Sequence, residues 1–349
     1  MVAKRARCSK TAVSLVLHNK GRISSDVRTR ILDVAQKLGY VMSGPGRKPC
    51  ANGTGKTRQT SRIRTVPLIA YQQEDPDRSP HFSRRLAGIR EVLSRADLTL
   101  GILLPETPSQ FLEQIAELKH GALFTGGFRL MDTELRKAIV WLGRNHPTVL
   151  VGNYFEESDG VITSVRGDYE MSGIVMAKKC LEAGRHSVVS VIQHFEPICN
   201  EREKGMRQIF DVSGVRYSSL RYETAAPLDG LWDEITRRHG EAPGAVISGG
   251  ATIWQLSEDL TRRGLRIPED VALLAFTPDL PKTGNHPPVA TVLFDEYEIG
   301  RLAARTWWEA HQEVSFAQRK VLLPPVFCPG ASFPAVNSLQ SAAEEMTTK

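Results

Sequence analysis

The chain has 349 residues, which is too long for a single hydrophobic core and predicts two or three domains. No run of eighteen apolar residues occurs, so a transmembrane helix is not expected. The N-terminus has an amphipathic pattern where a signal peptide needs an uninterrupted apolar segment, so a cytoplasmic protein is expected. Five scattered cysteines without metal-ligand spacing indicate no disulfide framework, zinc site or cofactor: Cys8, Cys50, Cys180, Cys199 and Cys328.

The net charge of +6 is divided unevenly along the chain. Residues 1–65 hold 15 Lys or Arg against two acidic side chains, whereas the remainder holds 30 basic against 37 acidic side chains. A compact basic segment is typical of a module that displaces counterions from nucleic acid. The alternative, a solvated basic tail, does not account for the helical periodicity of the same segment.

Three short helices are predicted in this segment. Val2, Ala3 and Ala6 indicate the end of a first helix, and Ser9 is placed to cap a second helix that runs from Lys10 to about His18. A third helix follows from Ser24 to Leu38, because its apolar residues recur at helical spacing, and Gly39 is placed to end it: Val27, Ile31, Val34, Ala35 and Leu38. A tight link between the first two helices predicts a helix-turn-helix, with the second helix in the major groove.

The stretch "VAKRARCSKTAVSLVLHNKGRISSDVRTRILDVAQKLGY" resembles, position by position, the N-terminal domain of the lactose-repressor (LacI/GalR) family of bacterial transcription regulators. That resemblance implies a DNA-binding domain over residues 1–42. It implies base-reading roles for Lys10, Thr11 and Leu15, phosphate contacts for Ser9, Ser14, His18 and Arg22, and packing of Tyr40 at the end of the third helix.

The chemistry of these side chains supports part of the assignment. Lys10 is able to donate to guanine, and Thr11 offers a hydroxyl and a methyl group. Leu15 stands where many relatives have Arg, so either it contacts a thymine methyl or it packs inside the domain. Relatives also begin several residues earlier, so the first helix is expected to lack its start.

Residues 43–64 are rich in Gly, Pro and cations, which predicts a flexible basic linker. The sequence "GTGKT" lacks the spacing of a phosphate-binding loop. The family usually has a hinge helix here that wedges a Leu into the minor groove. Pro45 and Pro49 disfavour that helix, so Arg47, Lys48 and their neighbours are expected to follow phosphates or to enter a narrow minor groove singly.

From residue 65 onward, short apolar runs alternate with amphipathic helical stretches, which predicts parallel strands covered by helices. The runs are Val66 to Tyr71, Leu98 to Leu103, Gly121 to Gly126, Thr148 to Asn153, Ser187 to Ile192, Gly244 to Gly249 and Val271 to Phe276.

The same region resembles the effector-binding core of the family, above all in "RRGLRIPEDVALLAF". The resemblance implies an α/β, periplasmic-binding-protein-like body of two doubly wound parallel-sheet subdomains over residues 65–334. Crossovers near Asn153, Ala290 and Arg319 would give an N-subdomain of about 65–153 and 291–318 and a C-subdomain of about 154–290 and 319–334. Residues 335–349 are expected to be a disordered tail without a tetramerising zipper.

Open α/β sheets bind ligands at the carboxyl ends of their strands, here the cleft between the subdomains. By resemblance Arg202 is the effector-binding residue, with pairing to Glu201 or Glu203 as the alternative. Sugar-binding relatives differ at Gly250, Ala251 and Thr277, which argues against a simple monosaccharide. Four aromatic residues are expected to line the cleft unless they belong to the core: Phe82, Tyr154, Phe195 and Trp254.

No catalytic constellation is present in the sequence, so an enzyme is not expected. The sequence therefore predicts a DNA-binding transcription regulator, most simply a repressor, that acts as a homodimer on a palindromic operator and responds to a small molecule. Two alternatives stay open: a regulator that has lost its effector, and a solute-binding module without a DNA function.

Overall fold

The computed structural model describes residues 64–71, 80–126, 133–193, 197–222, 230–276, 288–312 and 316–334. Within the first 62 residues it describes Ala6, Cys8, Ser9, Ala12, Val13, Val16, Ser24, Val27, Ile31 and Val34. The chain divides into two compact units, Met1–Arg62 and Ile63–Lys349.

The first unit has its own small apolar core. Ala6, Val16 and Ile31 are fully buried, and the partly buried side chains of Cys8, Ala12, Val13, Val27 and Val34 pack against them. The helical residues Val27, Ile31 and Val34 share one buried face, as their spacing predicts. The Ser9 hydroxyl accepts a hydrogen bond of 3.0 Å from the Ala12 amide, so the predicted cap is confirmed.

The N-subdomain contains a six-stranded sheet in the order β11-β5-β4-β3-β1-β2. All of its strand pairs are parallel. Its elements are β1 (Thr65–Tyr71), α1 (Pro80–Arg95), β2 (Thr99–Leu103), α2 (Pro108–Glu117), β3 (Leu123–Gly126), α3 (Thr133–Asn145), β4 (Val149–Val151), β5 (Thr163–Gly167), α8 (Glu296–Gln312) and β11 (Lys320–Leu323).

The C-subdomain contains a second six-stranded sheet in the order β12-β10-β9-β8-β6-β7. Its elements are α4 (Tyr169–Glu182), β6 (Ser187–Gln193), α5 (Pro197–Ser213), β7 (Arg216–Tyr222), α6 (Leu231–His239), β8 (Ala245–Ser248), α7 (Gly250–Arg262), β9 (Ala272–Ala275), β10 (Ala290–Leu293) and β12 (Val326–Cys328). Only β12 runs antiparallel among the strands described for this sheet. The predicted body of two doubly wound, largely parallel sheets is confirmed.

Each sheet is buried on both faces, which explains why its strands read as nearly continuous apolar runs. On β1, Leu68 points into a cluster with α1 and α8, and the next residue, Ile69, points into a cluster with α2 and α3. On β6, Val188 and Val189 divide in the same way between the helix pairs α4–α5 and α6–α7.

Glycine allows two of these helix pairs to cross at very short range. A Cβ atom on Gly88 of α1 would lie 2.0 Å from the Tyr297 carbonyl oxygen, and one on Gly300 of α8 would lie 2.1 Å from the Arg85 carbonyl oxygen. In the C-subdomain, Gly173 of α4 and Gly205 of α5 repeat the arrangement. Larger residues there would push the helices apart.

The chain crosses between the subdomains at positions that differ from the expected ones. The sheet order places the crossings after β5, at Gly167, then between β10 and α8, and finally between β11 and β12 at Pro324. The expectation near Asn153 missed β5, whose sequence "TSVRG" is polar and gives no apolar run although all five residues are buried. Likewise, β10 extends the C-subdomain beyond Ala290, and β11 extends the N-subdomain beyond Arg319.

Residues 43–61 and 335–349 lie outside the described residues. Within the described ranges, every helix falls short of the length and apolar character that crossing a membrane requires.

Candidate functional site: the cavity between the subdomains

A cavity of about 240 Å³ lies between the two sheets, at the carboxyl ends of their strands. This is where open α/β sheets bind ligands. Its walls come from both subdomains: His81, Arg85, Gly126, Gly152, Asn153, Tyr169, Ile198, Arg202, Phe276, Val292, Leu293, Phe294 and Glu296. An occupant would therefore contact both subdomains together.

Arg202 enters the cavity from α5. Its guanidinium carbon lies 4.5 Å from the centre of the Phe276 ring and 5.2 Å from that of Tyr169, and one nitrogen lies 3.5 Å from the Phe276 carbonyl oxygen. The backbone is fixed by the helix crossing, because a Cβ atom on Gly173 would lie 2.0 Å from the Arg202 carbonyl oxygen. Arg202 thus lies where the resemblance placed it.

The carboxylates on either side of Arg202 pair with other arginines. Glu201 pairs with Arg166, and Glu203 pairs with Arg207 and Arg221. Consecutive residues on a helix point in different directions, so pairing between Arg202 and either neighbour is not favoured by helix geometry.

The facing wall of the cavity carries a second arginine that the sequence analysis did not single out. Arg85 of α1 donates through Nε to the Glu296 carboxylate of α8, and His81 Nδ1 lies 3.5 Å from the other oxygen of the same carboxylate. Burial alone would raise the pKa of Glu296, but Arg85 and His81 outweigh it and hold the pKa below its ordinary value. Arg85 and Glu296 therefore form an ion pair in this wall, in which both groups are charged and their charges cancel.

Gly152, at the end of β4, makes room for Arg85. Its φ is +80°, and a Cβ atom there would lie 2.2 Å from the Arg85 guanidinium carbon. A side chain at this position would both strain the backbone and displace Arg85. The signal available in the sequence was the glycine in "TVLVGN", since a glycine closing a buried strand indicates a close approach.

Tyr169, on the first turn of α4, spans the floor of the cavity. Its hydroxyl donates to the Gly152 carbonyl oxygen at 2.5 Å, and its ring meets Phe294 edge-on with the ring centres 5.3 Å apart. Burial raises the pKa of Tyr169, so the hydroxyl stays a donor at neutral pH.

The expected aromatic lining is largely replaced by other aromatic residues. Phe82 is 1% exposed and belongs to the N-subdomain core, packed with residues of β1 and α8. Tyr154 and Trp254 are also buried, and neither contributes to the cavity wall. Phe276 and Phe294 take their place beside Tyr169.

The remaining expected effector positions give less information. Gly250 begins α7, immediately after the carboxyl end of β8. Phe195 and Thr277 lie outside the described residues, and so do most of the expected DNA contacts: Lys10, Thr11, Ser14, Leu15, His18, Arg22, Tyr40, Arg47 and Lys48. Of that set Ser9 is described, exposed and used as a helix cap.

Within the described part of the chain, no three His, Cys, Asp or Glu side chains are grouped so that they could hold a metal ion.

Comparison with known proteins finds a matching family for each of the two parts of the chain. Residues 2–43 match the family described as bacterial regulatory proteins, lacI family, and residues 177–333 match the family described as periplasmic binding protein-like domain. A DNA-binding head followed by a two-subdomain binding body defines the class of ligand-responsive transcription regulators. Residues 2–43 carry a lacI-family DNA-binding domain, and the homologues of the whole chain are transcription regulators of that family.

Its relatives match over nearly their whole length. The HTH-type transcriptional regulator DegA of Bacillus subtilis is 27% identical, with 93% of this chain and 94% of DegA covered. The ribose operon repressor of the same organism is 20% identical, with 85% and 96% covered.

Two solved structures show the same fold. A complex of the regulator CelR with cellobiose is 18% identical, with a TM-score of 0.64 and 95% of this chain and 98% of that chain covered. A lac repressor dimer bound to operator is 14% identical, with a TM-score of 0.62 and coverage of 96% and 98%.

Proposed function

We propose that this chain is a transcriptional repressor that binds a palindromic DNA operator as a homodimer and whose operator affinity changes when a small molecule enters the cavity. The observation that carries the proposal is the cavity itself, whose walls come from both subdomains. An occupant that prefers one subdomain arrangement shifts the equilibrium towards it, which is the physical requirement for ligand control.

The DNA-binding part rests on the basic N-terminal segment and its family match. One recognition helix reads too few bases for specific binding, so two heads are needed on half-sites about one helical turn apart. Lys10, Thr11 and Leu15 are proposed to read bases, and Arg47 and Lys48 to contact phosphates. Such a regulator works on chromosomal DNA in the cytoplasm.

The DNA function is tested by selecting duplexes from a randomised library with the full chain and measuring affinity for the selected duplex and a scrambled one. Lys10→Ala is expected to weaken binding to the selected duplex by about ten-fold or more, the usual value of a base contact. Lys178→Ala, the same change at an exposed position on α4, is the control and should leave affinity unchanged. Equal affinity for the selected and scrambled duplexes would remove the proposal.

The ligand is proposed to be a small polar molecule that binds against Arg202 and the Arg85–Glu296 pair. Some relatives and structural neighbours are named for ribose or cellobiose. A simple monosaccharide is not favoured for this chain, because sugar-binding relatives have other residues at the positions of Gly250, Ala251 and Thr277. Calorimetry with neutral sugars, sugar acids and purines tests this, and Arg202→Gln should abolish the heat of any compound that binds.

A second candidate is a repressor without a small-molecule effector, which those three altered positions favour. It predicts no heat from any compound in the calorimetric panel, together with intact sequence-specific DNA binding.

A further inference from the structure

A partly buried ion pair joins the two subdomains beside the cavity. Arg166 of β5 is 1% exposed, and its two terminal nitrogens lie 2.7 and 2.8 Å from the two carboxylate oxygens of Glu201 on α5. Arg166 belongs to the N-subdomain sheet and Glu201 to the C-subdomain. This two-point geometry fixes both the distance and the orientation of the partners.

Tyr154, also from the N-subdomain, completes the contact. Its hydroxyl donates to a Glu201 oxygen at 2.9 Å, and its ring centre lies 3.9 Å from the Arg166 guanidinium carbon. One carboxylate of the C-subdomain is therefore held by two side chains of the N-subdomain. We call Arg166, Tyr154 and Glu201 the clasp.

The same turn of α5 makes a second contact across the boundary. Ile198 packs against the N-subdomain cluster that contains Tyr154 and Phe155. Ile198 and Glu201 are three residues apart and so lie on one side of the helix. The first turns of α5 are thus attached to the N-subdomain by both apolar and ionic contacts.

Arg202 is adjacent to Glu201 on this attached turn and points instead into the cavity. Movement of Glu201 away from Arg166 would carry Arg202 with it, because both lie on one rigid helix. The distance between Arg202 and the Arg85–Glu296 pair across the cavity thus depends on whether the clasp is formed.

We propose that Glu201 is a positioning residue. With Arg166 and Tyr154 it fixes how the two subdomains are held relative to each other, and so sets the distance from Arg202 to the opposite wall of the cavity. The inference rests on the proposed function, because it describes how that same cavity is controlled. A buried ion pair adds little net stability, and its better attested use is to select one arrangement among several.

The test measures the separation of the subdomains in the full chain. Nitroxide labels at Glu113→Cys of α2 and Arg237→Cys of α6, both exposed positions, report distances by pulsed electron paramagnetic resonance. Cys8, Cys50, Cys199 and Cys328 are replaced by serine, Cys180 is left in place because it is buried, and labelled protein is diluted with unlabelled protein. Glu201→Gln is expected to lengthen and broaden the distribution.

Glu203→Gln is the matched control. It makes the same chemical change two residues away, but Glu203 pairs with Arg207 and Arg221 inside the C-subdomain. The control should keep the parent distribution. Arg166→Lys keeps the charge and loses the two-point contact, so it should give an intermediate distribution and provides a second test if Glu201→Gln fails to fold.

Affinity for the selected duplex gives a second readout, which a purely structural role would not change in folded protein. Glu201→Gln is expected to change it by about five-fold or more, the range of allosteric coupling, and Glu203→Gln to leave it within two-fold. If no duplex is selected, the proposed DNA-binding function is contradicted, but the distance measurement still tests the clasp. The clasp proposal is overturned if every folded clasp variant keeps the parent distance distribution.

Discussion

The Tyr169 hydroxyl, at the start of the first helix of the C-subdomain, donates a hydrogen bond of 2.5 Å to the Gly152 carbonyl oxygen at the end of a strand in the N-subdomain. Both groups are buried, so water is poorly placed to replace either partner. This bond joins the subdomains at the cavity floor, and the clasp joins them beside it.

Removing this hydroxyl should destabilise the body. Tyr169→Phe leaves the Gly152 carbonyl buried without its donor, and we expect a loss of about 1–3 kcal/mol in the free energy of unfolding, measured by urea titration. The control is Tyr222→Phe, whose half-buried hydroxyl donates to Glu234 at 2.8 Å within one subdomain. Equal losses in the two variants would contradict the argument from burial.

Glu296 and Glu298 lie on the same helix and differ chiefly in burial. Glu296→Gln leaves Arg85 buried without its counter-charge, so the expected loss is about 3–5 kcal/mol. Glu298 pairs with Arg301 at 2.6 Å, with both side chains about one-third exposed, so Glu298→Gln should cost about 0–1 kcal/mol. Thermal and urea unfolding of both variants measure the difference between the two stability losses. Equal losses would contradict the prediction and would mean that another anionic group pairs with Arg85 in Glu296→Gln.

Buried histidines predict a loss of stability in mild acid. Burial lowers the pKa of His239 below 6.5, and its ring nitrogens contact Ser187 at 2.9 Å and Ser218 at 2.8 Å. The unfolded chain then takes up a proton that the folded chain resists. Stability is complete above pH 6.5 and falls as the pH drops from 6.5 towards the lower folded pKa.

Burial lowers the pKa of His311 and of His146 as well, so their effects add to that of His239. Urea titrations at a series of pH values give the free energy of unfolding as a function of pH. Below pH 6.5, this free energy should fall less steeply with decreasing pH for His239→Gln than for the parent. His186→Gln, at an exposed position, should keep the parent slope. Parallel curves for all three proteins would contradict the assignment.

The helix crossing at Gly173 should tolerate no side chain. Gly173→Ala places a Cβ atom against the Arg202 carbonyl oxygen, and overpacking of this kind typically costs about 1–3 kcal/mol. Gly249→Ala is the control, because its φ is −69° and no atom lies within 4 Å of the added Cβ. Because Gly249 is the N-cap of α7 and Ala is a poorer N-cap residue, we expect that variant to lose some stability, but less than Gly173→Ala. Calorimetric melting distinguishes them, and equal melting temperatures would refute the packing argument.

Much of the fold could be predicted from residue patterns. Apolar runs such as "SVVSVI" and "VALLAF" indicate strands because a parallel sheet is buried on both faces. The pattern missed β5, where the sequence "TSVRG" is buried while being mostly polar. Arg166 is tolerated there because Glu201, which is distant in sequence, supplies its counter-charge. Periodicity carries no information on such pairing.

The cavity was partly predictable. Arg202 was placed by resemblance, and the structure brings it to the cavity wall. Arg85, Glu296 and Tyr169 were not identified, because each acquires its role from a partner on another element. Phe82 was assigned to the cleft because it is aromatic, but the direction of a side chain on a helix depends on how that helix packs.

The sequence by itself determined the two-part organisation, the basic N-terminal segment, the buried faces of its helices and the alternation of strands and helices in the body. These features depend on local composition and spacing, which the linear chain records directly. The tertiary structure decided where the chain crosses between the subdomains, which residues line the cavity and that Glu201 pairs with Arg166. Those outcomes depend on contacts between residues far apart in sequence, and the energy of a buried charge is set by the partners that folding brings to it.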